Sequence, residues 1–184
     1  KEKLGFGSVE YSYVVTSFLV AYTIGYIFAG RMLDRFGVKL CLGVALGFWS
    51  LTSMAHAAAT GWVMLVVLRF LLGLGESFNS PGGIKALSEW VPNGERGLCI
   101  AIFNNGYVWG AILAAPIVAF ITLHFNWHLG FIMPGLLSFV LLVLWWKMYD
   151  GPERHPRLSA KERAHILTNR DGANGDKPEK IPLR

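Results

Sequence analysis

Arg69 and Glu76 are the residues whose types and spacing promise chemistry. Both are ionisable, and both lie in an otherwise apolar run from about Trp62 to Leu87. Seven residues is two helical turns, so the two share nearly one helix face, with Gly73 between them. Counted from Trp62 at about 1.5 Å per residue, they bracket the middle of a bilayer-long segment. Arginine stays charged and grips a carboxylate with two parallel hydrogen bonds. A glutamate in such surroundings is pulled two ways: desolvation favours its acid form, a nearby guanidinium its carboxylate. That competition suits a group that gains and loses a proton near neutral pH, so an anion and a proton could load and leave together. The alternative is an ion pair that only locks helices. The cost of keeping ionisable groups at that depth favours function.

Other polar groups are less decisive. Asn104, Asn105, Gly106 and Tyr107 interrupt a second apolar run. Asparagine both donates and accepts, as sugar hydroxyls require. Interhelical hydrogen bonding, worth about 0.6 to 2 kcal/mol, explains the pair equally well. Tyr22 and Tyr26, one turn apart, fit packing or binding. Pro81 and Gly82-Gly83 imply a bent helix or close packing. His124 and His128 fit an interfacial loop, with a metal site the minor alternative. The sequence has no nucleophile elbow, phosphate loop or zinc-type cysteine spacing. No enzyme, cofactor or metal is expected.

The elements that position these groups are membrane spans. The 184 residues are 53% hydrophobic and only 16% charged, with a mean hydropathy of +0.43. Soluble domains carry about 25% charged residues, and a lipid-facing surface explains the deficit. Five runs reach the roughly 20 apolar residues a bilayer needs: about 11–31, 38–59, 62–87, 97–123 and 127–149. Between the first two lies a short charged stretch, Gly30-Arg31-Met32-Leu33-Asp34-Arg35-Phe36-Gly37-Val38-Lys39, which reads as a tight hairpin.

Lys and Arg gather at alternate span ends: Arg31, Arg35 and Lys39, then Lys85 and Arg96, then Lys147, Arg154, Arg157, Lys161 and Arg163. The connections around 59–61 and 124–128 have none. Basic ends face the cytoplasm, which puts the N-terminus outside and the C-terminus inside. The net charge of +5 is therefore a topology signal, and no nucleic-acid partner is expected. Cys41 and Cys99 lie towards the cytoplasmic ends and should be free thiols. After residue 150 the composition turns polar. Ser159-Ala160-Lys161-Glu162 has capping-box spacing for a short helix to about Thr168, and a flexible linker is expected from Asp171.

The chain resembles the N-terminal half of a major facilitator superfamily transporter. Gly30, Asp34, Arg35, Gly37 and Lys39 match that superfamily's motif between its second and third helices, and Arg69 with Gly73 matches its fourth-helix pattern. The stretch 69–76, then Pro81, Glu89-Trp90-Val91-Pro92 and Glu95-Arg96, resembles the anion:cation symporters, most closely their hexuronate branch. His155-Pro156-Arg157-Leu158-Ser159 with Glu162-Arg163 resembles the start of that branch's central loop.

The resemblance implies an all-α membrane protein, a partial N-terminal six-helix bundle. Residues 1–149 would be helices two to six. Residues 150–184 would be cytoplasmic central loop. The first helix and the C-terminal half would lie outside this chain. It implies proton-coupled symport of a hexuronate or related sugar acid, by alternating access, in a bacterial inner membrane. Partners would be the anion, protons and the lipid bilayer, with the N-terminus of the chain periplasmic.

Glu76 and Arg69 would couple to protons. Arg69, Tyr22, Tyr26, Asn104, Asn105 and Tyr107 would meet substrate. Gly30, Asp34, Arg35, Gly37, Lys39, Glu95 and Arg96 would form a cytoplasmic gate holding the two halves together. Tyr26 stands where relatives often have Gln, and Gly82-Gly83 replaces a common alanine pair. Alternatives are a carrier of another organic anion (glucarate, galactonate, tartrate, an aromatic acid or phosphate) or a non-transporting sensor or scaffold on the same fold.

Overall fold

The computed structural model describes residues 7–170. Its helices are α1 (Ser8–Phe36), α2 (Val38–Ala55), α3 (Trp62–Glu76), α4 (Asn79–Trp90), α5 (Asn93–His124), α6 (Leu129–Met148) and α7 (Ala160–Arg170), with a 3-10 turn at His56–Ala58 after α2. No strand occurs among the described residues. Five segments are long and apolar enough to cross a membrane: 8–36, 38–58, 62–90, 93–124 and 129–148. The expected all-α membrane architecture is what the chain adopts. The linker expected from Asp171 lies outside the described residues.

Two expectations need correction. The stretch from Gly30 to Lys39 is not a ten-residue hairpin turn. α1 runs on through Arg31, Asp34 and Arg35 to Phe36, and Gly37 alone reverses the chain. Arg, Met and Leu are good helix formers, and Leu33 is fully buried, so packing carries the helix through the charges. Gly37 ends it at φ 82°, where a side chain would be strained, and its N–H donates to Leu33 O at 3.0 Å.

The run from Trp62, expected as one span bent near Pro81, is interrupted outright. It breaks at Ser77-Phe78, directly after Glu76, before α4 begins. Pro81 explains the place. It has no N–H for the carbonyl four residues back, that of Ser77, and its ring crowds that carbonyl. Ser77 is fully buried, and its hydroxyl donates back to Leu74 O at 2.7 Å.

Two small apolar clusters mark the ends of the bundle. Val14, Ala59, Leu65 and Leu68 form one. Leu33, Val38, Cys41 and Leu42 form the other, with Phe78, Ala86, Trp145 and Tyr149 against it. Large apolar side chains otherwise face outward on every span, as a lipid solvent allows. α5 buries only Ile121. Both cysteines are free thiols. The Ser159 capping box forms as expected, with Ser159 N–H and Oγ donating to Glu162 Oε2 at 3.0 and 2.7 Å, and α7 reaches Arg170.

Candidate functional site

α1 crosses α3 at Gly73. A Cβ on Gly73 would stand 2.5 Å from Phe18 O and 3.2 Å from Tyr22 N, so only glycine admits the neighbouring backbone. That approach sets Tyr22 beside α3, one turn from Glu76. Tyr22 stacks with Tyr26 at 6.1 Å between ring centroids and lies within electrostatic reach of Tyr107, Tyr26 and Glu76. Tyr107 is held by an edge contact with Phe103 at 5.5 Å. Phe103 itself rests on Gly83, within 3 Å of where a Cβ would be. The Gly82-Gly83 departure thus serves packing, with Gly82 against Leu42 and Gly83 against Phe103.

Glu76 is the last residue of α3. It opens onto a cavity of about 790 Å³ lined also by Trp49, Asn79, Phe103, Tyr107 and Ser138, within the usual size for a small-molecule site. Arg69 and Glu76 feel each other's charge but close no ion pair. Among the described residues the pairs are Lys39–Asp150, Lys85–Asp34 and Arg170–Glu153. Among the described residues, Arg69 and Glu76 therefore do not lock helices through an ion pair.

The structure brings together Glu76, Tyr22, Tyr26 and Tyr107, with Arg69 two turns away. It leaves Asn104 and Asn105 on an exposed face of α5, where Asn105 Nδ2 donates to Ala101 O of its own helix at 2.9 Å. His124 Nδ1 lies 3.0 Å from Phe120 O, and His128 Nδ1 lies 2.6 Å from Ala57 O. Each is engaged with backbone rather than with the other. Among the described residues no group of three or more His, Cys, Asp or Glu could hold a metal.

At the basic end, Asp34 pairs with Lys85 across α1 and α4, and Lys39 Nζ meets Asp150 Oδ1 at 2.6 Å. Arg35 lies 5.5 Å over the Phe36 ring. Arg96 donates to Ser88 O, Val91 O and Arg170 O at 3.1 to 3.4 Å. Glu95 and Gly30 are exposed. Two of the motif's charges are thus occupied within this chain. Sequence reasoning missed Lys85 and Asp150 as their partners, and Trp49, Asn79 and Ser138 as cavity walls. Asn79 carried a signal, a polar residue three positions after Glu76 and two before Pro81, where a break in the helix brings both to the same cavity.

A family model described as Major Facilitator Superfamily matches residues 1–179. The chain belongs to that superfamily. It is a multi-pass membrane protein of a transporter family, not an enzyme family. It is 34% identical over 169 residues to the probable galactarate/D-glucarate transporter GudP of Bacillus subtilis (strain 168), matching 89% of this chain and 37% of that protein. It is 33% identical over 171 residues to the galacturonate transporter of Dickeya chrysanthemi, covering 93% and 50%. It is 33% identical over 170 residues to the hexuronate transporter of Escherichia coli (strain K12), covering 92% and 39%. The chain thus spans half or less of the length of these relatives. In fold it matches the superfamily's proton:xylose symporter XylE, solved with 6-bromo-6-deoxy-D-glucose. That match has a TM-score of 0.70 at 19% identity and covers 87% of this chain and 39% of XylE.

Proposed function

We propose that the whole carrier to which this chain corresponds imports a sugar acid together with protons by alternating access. The observation that carries this reading is the unclosed Arg69–Glu76 couple, whose glutamate opens onto a cavity lined by Tyr107, Asn79 and Ser138. Arg69 would bind the carboxylate. Glu76 would take the proton that crosses with it. Tyr22, Tyr26, Tyr107 and Asn79 would meet the sugar hydroxyls. Residues 1–149 correspond to helices two to six, with a first helix and a second half completing the cavity walls. Residues 150–184 begin the central loop. The basic ends face the cytoplasm of a bacterial inner membrane. There Gly30, Asp34, Arg35, Gly37, Lys39, Glu95 and Arg96 form the inner gate.

The names of the relatives divide between hexuronates and aldarates at nearly equal identity, so a dicarboxylic sugar acid is the second reading. Uptake of labelled galacturonate by the whole carrier in liposomes tests both. An imposed inward pH gradient should drive accumulation that collapses with the gradient. Competition by glucuronate would place the substrate among hexuronates, and stronger competition by glucarate among aldarates. Phosphate should not compete. Absence of uptake by folded, correctly oriented protein would remove the sugar-acid reading and leave the fold.

A further inference from the structure

His56 takes no part in the site described above, yet its side chain is completely buried. Its Nδ1 lies 2.7 Å from Thr52 O, one turn earlier on α2. A carbonyl only accepts, so Nδ1 carries the proton, and the neutral ring leaves Nε2 as a bare acceptor. That nitrogen has no partner among the described residues. The ring is fixed in place by stacking on Phe131, 5.4 Å between centroids at 15°. A buried acceptor without a donor is costly to keep and asks for an explanation.

The packing of α2 on α3 supplies one. The two helices run antiparallel and meet at Gly75, where a Cβ would stand 3.1 Å from Trp49 Cβ and 2.9 Å from Phe48 Cδ1. Both rise about 1.5 Å per residue. The step from Trp49 to His56 is therefore matched by an equal step down α3 from Gly75 to Leu68, whose neighbour is Arg69. Ala55 packs on the cluster that holds Leu65 and Leu68, at the same level. The charge of Arg69 reaches both the His56 ring and Glu76. Arg69 thus lies at the level of an unused acceptor and within electrostatic reach of both that ring and the Glu76 carboxyl.

We propose that His56 is a positioning residue, the second partner of Arg69 in the transport cycle. The inference rests on the proton-coupled reading above. While Glu76 is ionised, its charge holds the guanidinium. When a proton neutralises Glu76, a guanidinium N–H turns to His56 Nε2. The proton stays on Glu76, and only hydrogen bonds change. The cation is then never left bare in the membrane, and one N–H held by His56 leaves the other guanidinium N–H groups aimed at an arriving anion.

The test uses the whole carrier. His56→Asn keeps an amide donor for Thr52 O and removes the Nε2 acceptor. His56→Phe keeps the stack on Phe131 and removes both nitrogens. His56→Gln returns a polar group near the Nε2 position. Asn and Phe should raise the KM for galacturonate by about tenfold, the scale of one charge-assisted hydrogen bond, while Gln restores it. In thermal melting of purified protein, His56→Phe and Arg69→Met should give non-additive shifts when combined. Additive shifts, or a wild-type KM in His56→Asn, would overturn the proposal. A wild-type protein that takes up no sugar acid would defeat the functional reading alone, because the melting cycle still decides whether His56 and Arg69 are coupled.

Discussion

At the basic end of the bundle Lys39 meets Asp150, Lys85 meets Asp34, Arg170 meets Glu153, and Tyr149 donates to Glu89 at 2.9 Å. Burial, and then the Glu89 carboxylate, push the Tyr149 phenol far above its usual range, so the hydroxyl keeps its proton and keeps donating. At mid-span, Arg69 and Glu76 share a helix face and close no pair. Exposed pairs of the first kind contribute about 0 to 1 kcal/mol each. An uncompensated ion away from water costs several kcal/mol. The basic end therefore uses its charges to fix helix ends. The mid-span site keeps its charges open, which supports a role in binding rather than in folding.

The largest break in this comparison should come from Glu76→Gln. In the whole carrier it should abolish accumulation driven by a pH gradient while leaving substrate exchange across the membrane. Wild-type accumulation in that variant would show that the open couple is not the proton site. Next in size is Gly73→Val. The neighbour that a side chain would meet is backbone, Phe18 O, which cannot swing aside. Overpacking of this kind costs about 1 to 3 kcal/mol. The variant should melt several degrees lower and carry a displaced Tyr22. An unchanged melting temperature would mean that α1 and α3 cross more loosely than described.

How much of this was legible beforehand differs between the two regions for a physical reason. Arg69 and Glu76 stood out because a charge inside an apolar run is expensive wherever its partners lie, and that cost is local to the sequence. The convergence of Tyr22, Tyr26 and Tyr107 on Glu76 depends on a helix crossing at Gly73 and on Phe103 resting on Gly83. Spacing along one helix cannot reveal either contact. Asn104 and Asn105 looked as suited to a sugar as the tyrosines did, but neither lines the cavity beside Glu76, and Asn105 bonds back to Ala101 O of its own helix. The charged motif was legible as a set of residues and misread as a loop, because the burial of Leu33 that carries α1 through it is a tertiary contact. The break after Glu76 was half legible. Pro81 announced a bend, and its place follows from the carbonyl four residues earlier.

A smaller effect should follow at the basic end. Asp34 is three-quarters exposed and paired with Lys85, so Asp34→Asn should change stability by about 1 kcal/mol or less. If the motif is the inner gate, turnover should fall severalfold while the ranking of competing sugar acids stays fixed. Transport assays with a panel of competitors would separate the two properties. An altered ranking at normal turnover would move Asp34 from the gate to the substrate path, and would erase the contrast between the two regions.

The smallest effect belongs to Glu162, where the contrast can be sharpened with no transport assay. Hydrogen bonds from the Ser159 hydroxyl, and then from its backbone N–H, hold the Glu162 carboxyl below its usual range. A group whose folded value is depressed stabilises fully above its ordinary value and loses that contribution as the pH falls through the folded one. Protection of the backbone amides of residues 160–170 against hydrogen exchange, taken relative to the intrinsic rate at each pH, should therefore fall on acidification below the ordinary glutamate range. Glu162→Gln should remove that pH dependence. Uptake at neutral pH should not respond to the substitution, because the capping box orders one exposed helix and reaches nothing at mid-span. A loss of uptake in Glu162→Gln would show instead that α7, held through Arg96 and Arg170, transmits to the gate. The polar contacts at the basic end would then belong to the transport cycle as well as to the fold.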